Sequence, residues 1–382
     1  MNLKIIRTLT LLVLNLGMTP VSNCQELYVF KKEGKSGFMD RNGQIKIEAM
    51  YDAAEQFTEG FAVVYMNGKA GVINQSNELI VKPHFNNIKS FVEGVAVVSN
   101  NEKYGLIDTT GKIILNPKYD WISFQAEGII GLKEDELWSF YSLITRKKIN
   151  REKYKTIGAF SEGLASVQDN YTGKYGFIKP NGDLIIPFVL TLVYSDFSNG
   201  FAAVCDENRK TIYINKNGEN TFGKTFDSVN RFYDARAFVK DTYNSEGYFI
   251  DTTGKRISQN TYKSAWFYCE GLCGVKKDNS FLVIDKTEKV IFSSTTIEVR
   301  FVIGEFVYFC DHSKEKLTWG IMNRQLEQVT DLRFTQFQEY RNVSRLECFY
   351  GDPAKWYGYG KRGYLNIEGN IIWEDITMDN TK

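Results

Sequence analysis

Short apolar runs recur along the chain, separated by small polar clusters. One stretch shows the pattern. Gly-Val-Ala-Val-Val-Ser from Gly94 reads as a strand, and Asn100-Asn101-Glu102 reads as a hairpin turn. Lys103 to Asp108 is a second strand, Thr109-Thr110-Gly111 a second turn, and Lys112 to Leu115 a third strand. The second turn returns as Asn42-Gly43, Asn181-Gly182, Asn217-Gly218 and Thr253-Gly254, with Gly placed for positive φ. Pro83, Pro117 and Pro187 are expected to end the third strand, because proline cannot donate to a ladder. A short segment then follows, Tyr119-Asp120-Trp121-Ile122-Ser123-Phe124 in this stretch. Its counterparts begin at Tyr51, Phe85, Tyr154 and Phe226 and end at Phe57, Phe91, Phe160 and Phe232. The segment reads as an edge strand or turn that pins one unit to the next, with its aromatics in the core between units.

Two glycine landmarks fix the period. Gly60, Gly94 and Gly128 are 34 residues apart, and Gly163, Gly200, Ala235 and Gly271 continue the series. The second landmark runs through Gly37, Gly71, Gly105, Ser139 and Gly176. It decays to Ile212, Tyr248 and Leu282, then returns at Gly320 and Gly363. Glycine inside a strand costs about 0.5–1 kcal/mol relative to alanine, so its repetition predicts a close approach by other backbone or an aromatic ring. The expected fold is all-β: a tandem array of about ten β-meander repeats of 34–37 residues, in an open solenoid-like stack, with a β-propeller as the alternative. Residues 1–24 read as a secretory signal, 25–324 as the repeat array, and 325–382 as an aromatic-rich insert with a last repeat or cap.

The repeat resembles the WG repeat family of bacterial β-rich proteins. The likeness is clearest at Lys103-Tyr-Gly-Leu-Ile-Asp-Thr-Thr-Gly-Lys-Ile-Ile-Leu-Asn-Pro-Lys-Tyr-Asp and from Lys174 to Pro187. Trp-Gly itself occurs only at Trp319-Gly320; other units place Tyr, Ala or Ser before the glycine. The resemblance implies a β-rich repeat fold and carries no catalytic residues with it.

Composition adds limits on partners. Lys plus Arg total 47 against 46 Asp plus Glu, a net charge of +1, which lacks the basic excess of a nucleic-acid binder. Lys4 and Arg7 precede an apolar run from Leu9 to Leu16, and Pro20 and small polar residues follow. That order predicts export to the periplasm, the cell surface or the medium. Ser22 and Cys24 suit signal cleavage before Gln25, and Val21-Ser22-Asn23-Cys24 alternatively resembles a lipobox with Cys24 lipidated. No later stretch is long and apolar enough to predict a membrane-spanning helix.

Candidate chemistry is sparse. Nucleotide-binding, zinc-protease and serine-hydrolase motifs are missing. His84 and His312 stand alone in the sequence and read as surface or turn residues. Cys269 and Cys273 read as buried thiols, and the odd number of cysteines after Cys24 excludes a complete disulfide set. Asp40, Asp108 and Asp251 precede turns and are expected to bond turn backbone. The basic run from Arg146 to Lys155 reads as a solvated strand edge guarded by lysine. Trp356, Tyr357 and Tyr359 form a possible ligand-stacking group for sugar faces, weighed against a cap packing on the last unit. No catalytic, cofactor-binding or metal-ligating residue is assigned. The expected function is non-enzymatic binding or scaffolding in the bacterial envelope through protein or glycan partners. The alternative is a secreted polysaccharide-processing enzyme with an acid pair in a degenerate repeat.

Overall fold

The computed structural model describes residues 27–327 apart from 41, 124–125, 150–151, 267, 269–270, 304–305, 314–317 and 324. Beyond them it describes the strands Phe334–Glu339, Leu346–Tyr350, Lys361–Leu365 and Ile371–Glu374. Every regular element among the described residues is a strand, and the strands form nine antiparallel sheets in chain order.

The third sheet illustrates the unit. Its strands are Asn87–Ile88, Val95–Asn100, Lys103–Asp108 and Ile113–Tyr119, paired in sequence order. The short aromatic-bearing segment therefore opens the next sheet as its first strand rather than closing its own. The first landmark glycines belong to the turn between the first and second strands. Glu59-Gly60 and Glu93-Gly94 both take positive φ at each residue, the two-residue hairpin geometry that matches strand twist. The second strand of the third sheet accordingly begins at Val95, one residue after Gly94.

Each second strand is a nearly continuous apolar run because both its faces are covered. Ala96 and Val98 pack toward the second sheet, while Val95 and Val97 pack toward the fourth. A buried core lies between every consecutive pair of sheets, from the first with the second to the eighth with the ninth. The recurring aromatics lie in these cores: Tyr51, Phe57, Phe85, Phe91, Tyr119, Tyr154, Phe160, Phe226 and Phe232 are all buried. Burying each such side chain contributes about 1.5–3 kcal/mol. The ninth sheet has seven strands, running from Ile297–Ile303 to Ile371–Glu374, and so joins strands on both sides of residue 325.

The second landmark glycine has a backbone cause. In the third sheet Tyr104 pairs with Tyr119 and Leu106 with Leu115, so two steps on one strand face four on the other. The extra residues bulge across Gly105. A Cβ there would lie 2.5 Å from the Leu115 carbonyl oxygen and 2.7 Å from the Pro117 nitrogen. The same two-against-four register occurs across Gly37, Gly71 and Gly176. Where a side chain occupies the position, the last segment at Leu282 stays a five-residue strand, Val290–Ser294, paired without the four-residue step. At Ser139, Ile212 and Tyr248 it shrinks to a two-residue strand or isolated bridges. One hydrogen bond survives in the middle, as from the Thr221 amide to the Tyr213 carbonyl.

Proline departs from expectation here. Pro83, Pro117 and Pro187 lie within the strands Leu79–Phe85, Ile113–Tyr119 and Leu184–Leu190 instead of ending them. Each sits in the bulge, where a residue is already out of the ladder and a missing donor costs nothing.

Candidate functional site

Three recurring acidic positions are engaged in holding the array together. Asp108 Oδ1 accepts from the Thr110 and Lys112 amides, as Asp251 does from Thr253 and Lys255 and Asp40 from Asn42 and Gln44. The Thr253 hydroxyl, followed by those amides, holds the Asp251 carboxyl below its usual range, against a smaller opposing effect of burial. The aspartate of the Tyr-Asp step reaches both ways. Asp52 meets the Lys35 ammonium at 2.6 Å and accepts from the Asn67 amide of the next hairpin. Asp120 repeats this with Lys103 and the Asp135 amide. The lysine is the main cause that lowers each carboxyl.

The glutamate of the Glu-Gly turn links units directly. The Glu59 carboxylate accepts from the Glu93 and Gly94 amides at 2.6 and 2.8 Å. Glu127 accepts from Gly163, Glu162 from Gly200, Asn199 from Ala235, and Asp234 from Gly271. Each donor turn belongs to the following sheet. Among the described carboxyls with a resolved shift, Asp196 alone is pushed up, by burial, with Arg231 opposing.

The outer edge of the sheets is chemically different. Ile45, Leu79, Ile113, Leu184 and Val290 each begin the last strand of their sheet, and each is 41–49% exposed. Their cross-strand partners are equivalent too: Met39, Ile73, Ile107, Ile178 and Ile284. The first three occupy consecutive, mutually packed sheets, so they form a stripe across the array. Each of these side chains keeps much of its surface in solvent, and exposed apolar groups repeated at one register position mark a candidate interaction surface. Away from this row, on the first strand of the fourth sheet (Trp121–Ile122), Trp121 is 41% exposed, with the Tyr104 ring 5.0 Å away and the Lys89 ammonium 4.8 Å above it.

A second feature lies between the eighth and ninth sheets. Glu298 and Cys310 are direct cross-strand partners on Ile297–Ile303 and Phe306–Asp311. His312 follows two residues after Cys310, so strand alternation keeps it near the same face. His312 Nε2 lies 2.7 Å from Glu298 Oε2 and 3.6 Å from Cys310 Sγ, and Sγ is 3.7 Å from that same oxygen. Trp266 donates from Nε1 to the other Glu298 oxygen at 3.2 Å, and Phe281 stacks on the His312 ring at 5.1 Å. Cys310 is fully buried, Glu298 is part-buried and His312 is exposed. His312 is exposed as expected, but it is not alone.

The sites expected from sequence divide as follows. Cys24, Cys269, Trp356, Tyr357 and Tyr359 lie outside the described residues. Cys205 and Cys273 are buried thiols, and burial pushes the Cys273 thiol well above its usual range. In the basic run, Lys148 and Lys153 each approach Glu134 to 3.8 Å, beside Lys118 at 3.0 Å. No helix among the described residues is long and apolar enough to cross a membrane.

Comparison with known proteins bears on the repeat. No curated protein matches the chain. Among solved structures, a eukaryotic initiation factor is similar over 92% of this chain and 96% of its own, at 12% identity and a TM-score of 0.48. Hsv2 of Kluyveromyces lactis is similar over 70% of this chain and 94% of its own, at 10% identity and a TM-score of 0.32. The tricorn protease matches 85% of this chain and 41% of its own, at 13% identity and a TM-score of 0.28. The family described as WG containing repeat matches residues 37–69, 71–104, 104–138, 175–209 and 213–242. Those five tandem stretches follow the glycine period and the sheet order, and the chain is a WG repeat-containing protein.

Proposed function

We propose that this chain is a non-enzymatic binding or scaffold protein of the bacterial cell envelope, exported by its N-terminal segment. The observation that supports the reading is the exposed aliphatic at one register position of five sheets. The recurring acids support it from the other side, because the Glu-Gly, Tyr-Asp and turn carboxylates are engaged in structural hydrogen bonds. Aliphatic groups on a strand edge suit the apolar side chains of a protein partner, which buries them and gains about 25 cal/mol per Å² of apolar area removed from water. A glycan partner would call instead on aromatic faces such as Trp356, Tyr357 and Tyr359.

The test is retention from envelope extracts, glycans included, on immobilised mature protein (residues 25–382), run beside a glycan-turnover panel. A partner retained through moderate salt, with no turnover, is the expected result. Turnover with a sharp pH optimum would replace binding by the polysaccharide-processing alternative.

A further inference from the structure

We propose that Glu298, Cys310 and His312 form a three-ligand site for a borderline-soft divalent transition metal ion, of which zinc is the type. The donor set is the first reason. Thiolate sulfur, imidazole nitrogen and carboxylate oxygen together match zinc and its first-row neighbours, and match neither magnesium nor calcium, which take oxygen.

The geometry is the second reason. Tetrahedral zinc with its usual bond lengths sets sulfur and nitrogen about 3.6 Å apart, sulfur and oxygen about 3.6 Å, and nitrogen and oxygen about 3.3 Å. The two edges that include Cys310 Sγ are 3.6 and 3.7 Å. The third, 2.7 Å between His312 Nε2 and Glu298 Oε2, is a hydrogen bond that an ion would replace. Opening it needs about 0.6 Å of movement, and it falls on His312, the exposed member of the set.

The same distances argue against a nucleophile–base–acid relay. A relay uses both ring nitrogens, one toward the thiol and the other toward the carboxylate. Here Nε2 alone faces both Cys310 and Glu298, which is convergence on a point.

The surroundings are the third reason. Ligating groups are commonly oriented by an outer hydrogen bond. Trp266 Nε1 supplies one by holding Oε1 of Glu298 and leaving Oε2 toward the cluster. Phe281 stacks on the imidazole and limits its rotation. Exposed His312 gives the ion a path, and three protein ligands leave a fourth position for water or a partner's donor. Binding would release the Cys310 thiol proton to solvent, so the site would carry one thiolate and one carboxylate against the dication.

The test uses the full mature chain, reduced and stripped of metal, titrated with Co²⁺ and then Zn²⁺. One equivalent of Co²⁺ should produce a thiolate-to-cobalt charge-transfer band with intense four-coordinate visible bands, and Zn²⁺ should bleach both. Cys310→Ser should abolish the charge-transfer band, whereas Cys273→Ser should keep it. His312→Ala, at an exposed position that leaves the fold intact, should weaken zinc binding about 100-fold or more. Trp266→Phe, which removes the outer hydrogen bond and keeps an aromatic ring, should weaken it about 10–100-fold. The proposal is overturned if stoichiometric Co²⁺ gives no charge-transfer band, if the band survives in Cys310→Ser, or if His312→Ala binds zinc as tightly as wild type.

Discussion

Replacing Gly105 by alanine probes the coupling between the strand glycine and the proline bulge. The new methyl would lie 2.5 Å from the Leu115 oxygen, 2.7 Å from the Pro117 nitrogen and 3.0 Å from the Asn116 carbonyl carbon. All three are backbone atoms, so no flexible side chain can yield, and the bulge must lift. Overpacking of this kind costs about 1–3 kcal/mol. A lifted bulge also loses ladder bonds beside Leu106↔Leu115, each worth about 1 kcal/mol. Alanine recovers about 0.4–1 kcal/mol by restricting the unfolded chain. The net expectation is a loss of about 1–3 kcal/mol, confined mainly to the third sheet because repeat units interact with their neighbours. Amide hydrogen exchange reads this locally. Protection of Ile113–Tyr119 should fall about tenfold for each 1.4 kcal/mol, with the seventh and eighth sheets unchanged. Ser139→Ala, at the equivalent position where a side chain already fits, should change protection little. Wild-type protection in Gly105→Ala would refute the close-approach explanation.

Other residues give independent checks. Glu59→Ala removes the carboxylate shared by the Glu93 and Gly94 amides, and it should destabilise the junction of the second and third sheets by about 1 kcal/mol in urea titration. Asp251 and Asp285 are held below their ordinary value, chiefly by the Thr253 and Thr287 hydroxyls, so the unfolded chain binds their protons at higher pH than the folded one. Their stabilisation is therefore complete above the unfolded value near 3.8 and lost as pH falls through the lower folded values. Asp251→Asn should keep the turn, as Asn74 and Asn215 do natively, while flattening the acid limb of the stability profile. Cys273, buried and raised in pKa, should resist alkylation at mildly alkaline pH and react only in denaturant, as read by peptide mass spectrometry.

Features carried by local pattern could be read from sequence, and those that depend on stacking could not. The Asn-Gly and Thr-Gly turns, the all-β class and the burial of Tyr51, Phe85 and Phe232 follow from spacing alone. Gly105 signalled a close approach because glycine in a strand needs a reason. Pro117 misled because proline ends strands more often than it occupies bulges, and the bulge appears only when the register is known. Ile45, Leu79 and Ile113 look like core residues in sequence; they are exposed because the last strand of each sheet forms its edge. Glu298 is 12 residues before Cys310, and only hairpin pairing sets them opposite each other. The one available signal was the Cys310-x-His312 spacing at the end of the strand Phe306–Asp311, where alternation keeps the two residues near one face.

The stripe is the feature on which the binding account depends, and a charge placed on it tests that account most directly. A triple variant, Ile45→Lys, Leu79→Lys and Ile113→Lys, changes only exposed edge positions and should keep the wild-type circular dichroism spectrum. Immobilised beside wild type in the same envelope extract, it should lose the partner that wild type retains. Equal retention by the folded variant and wild type would contradict the assignment of this edge as the binding surface.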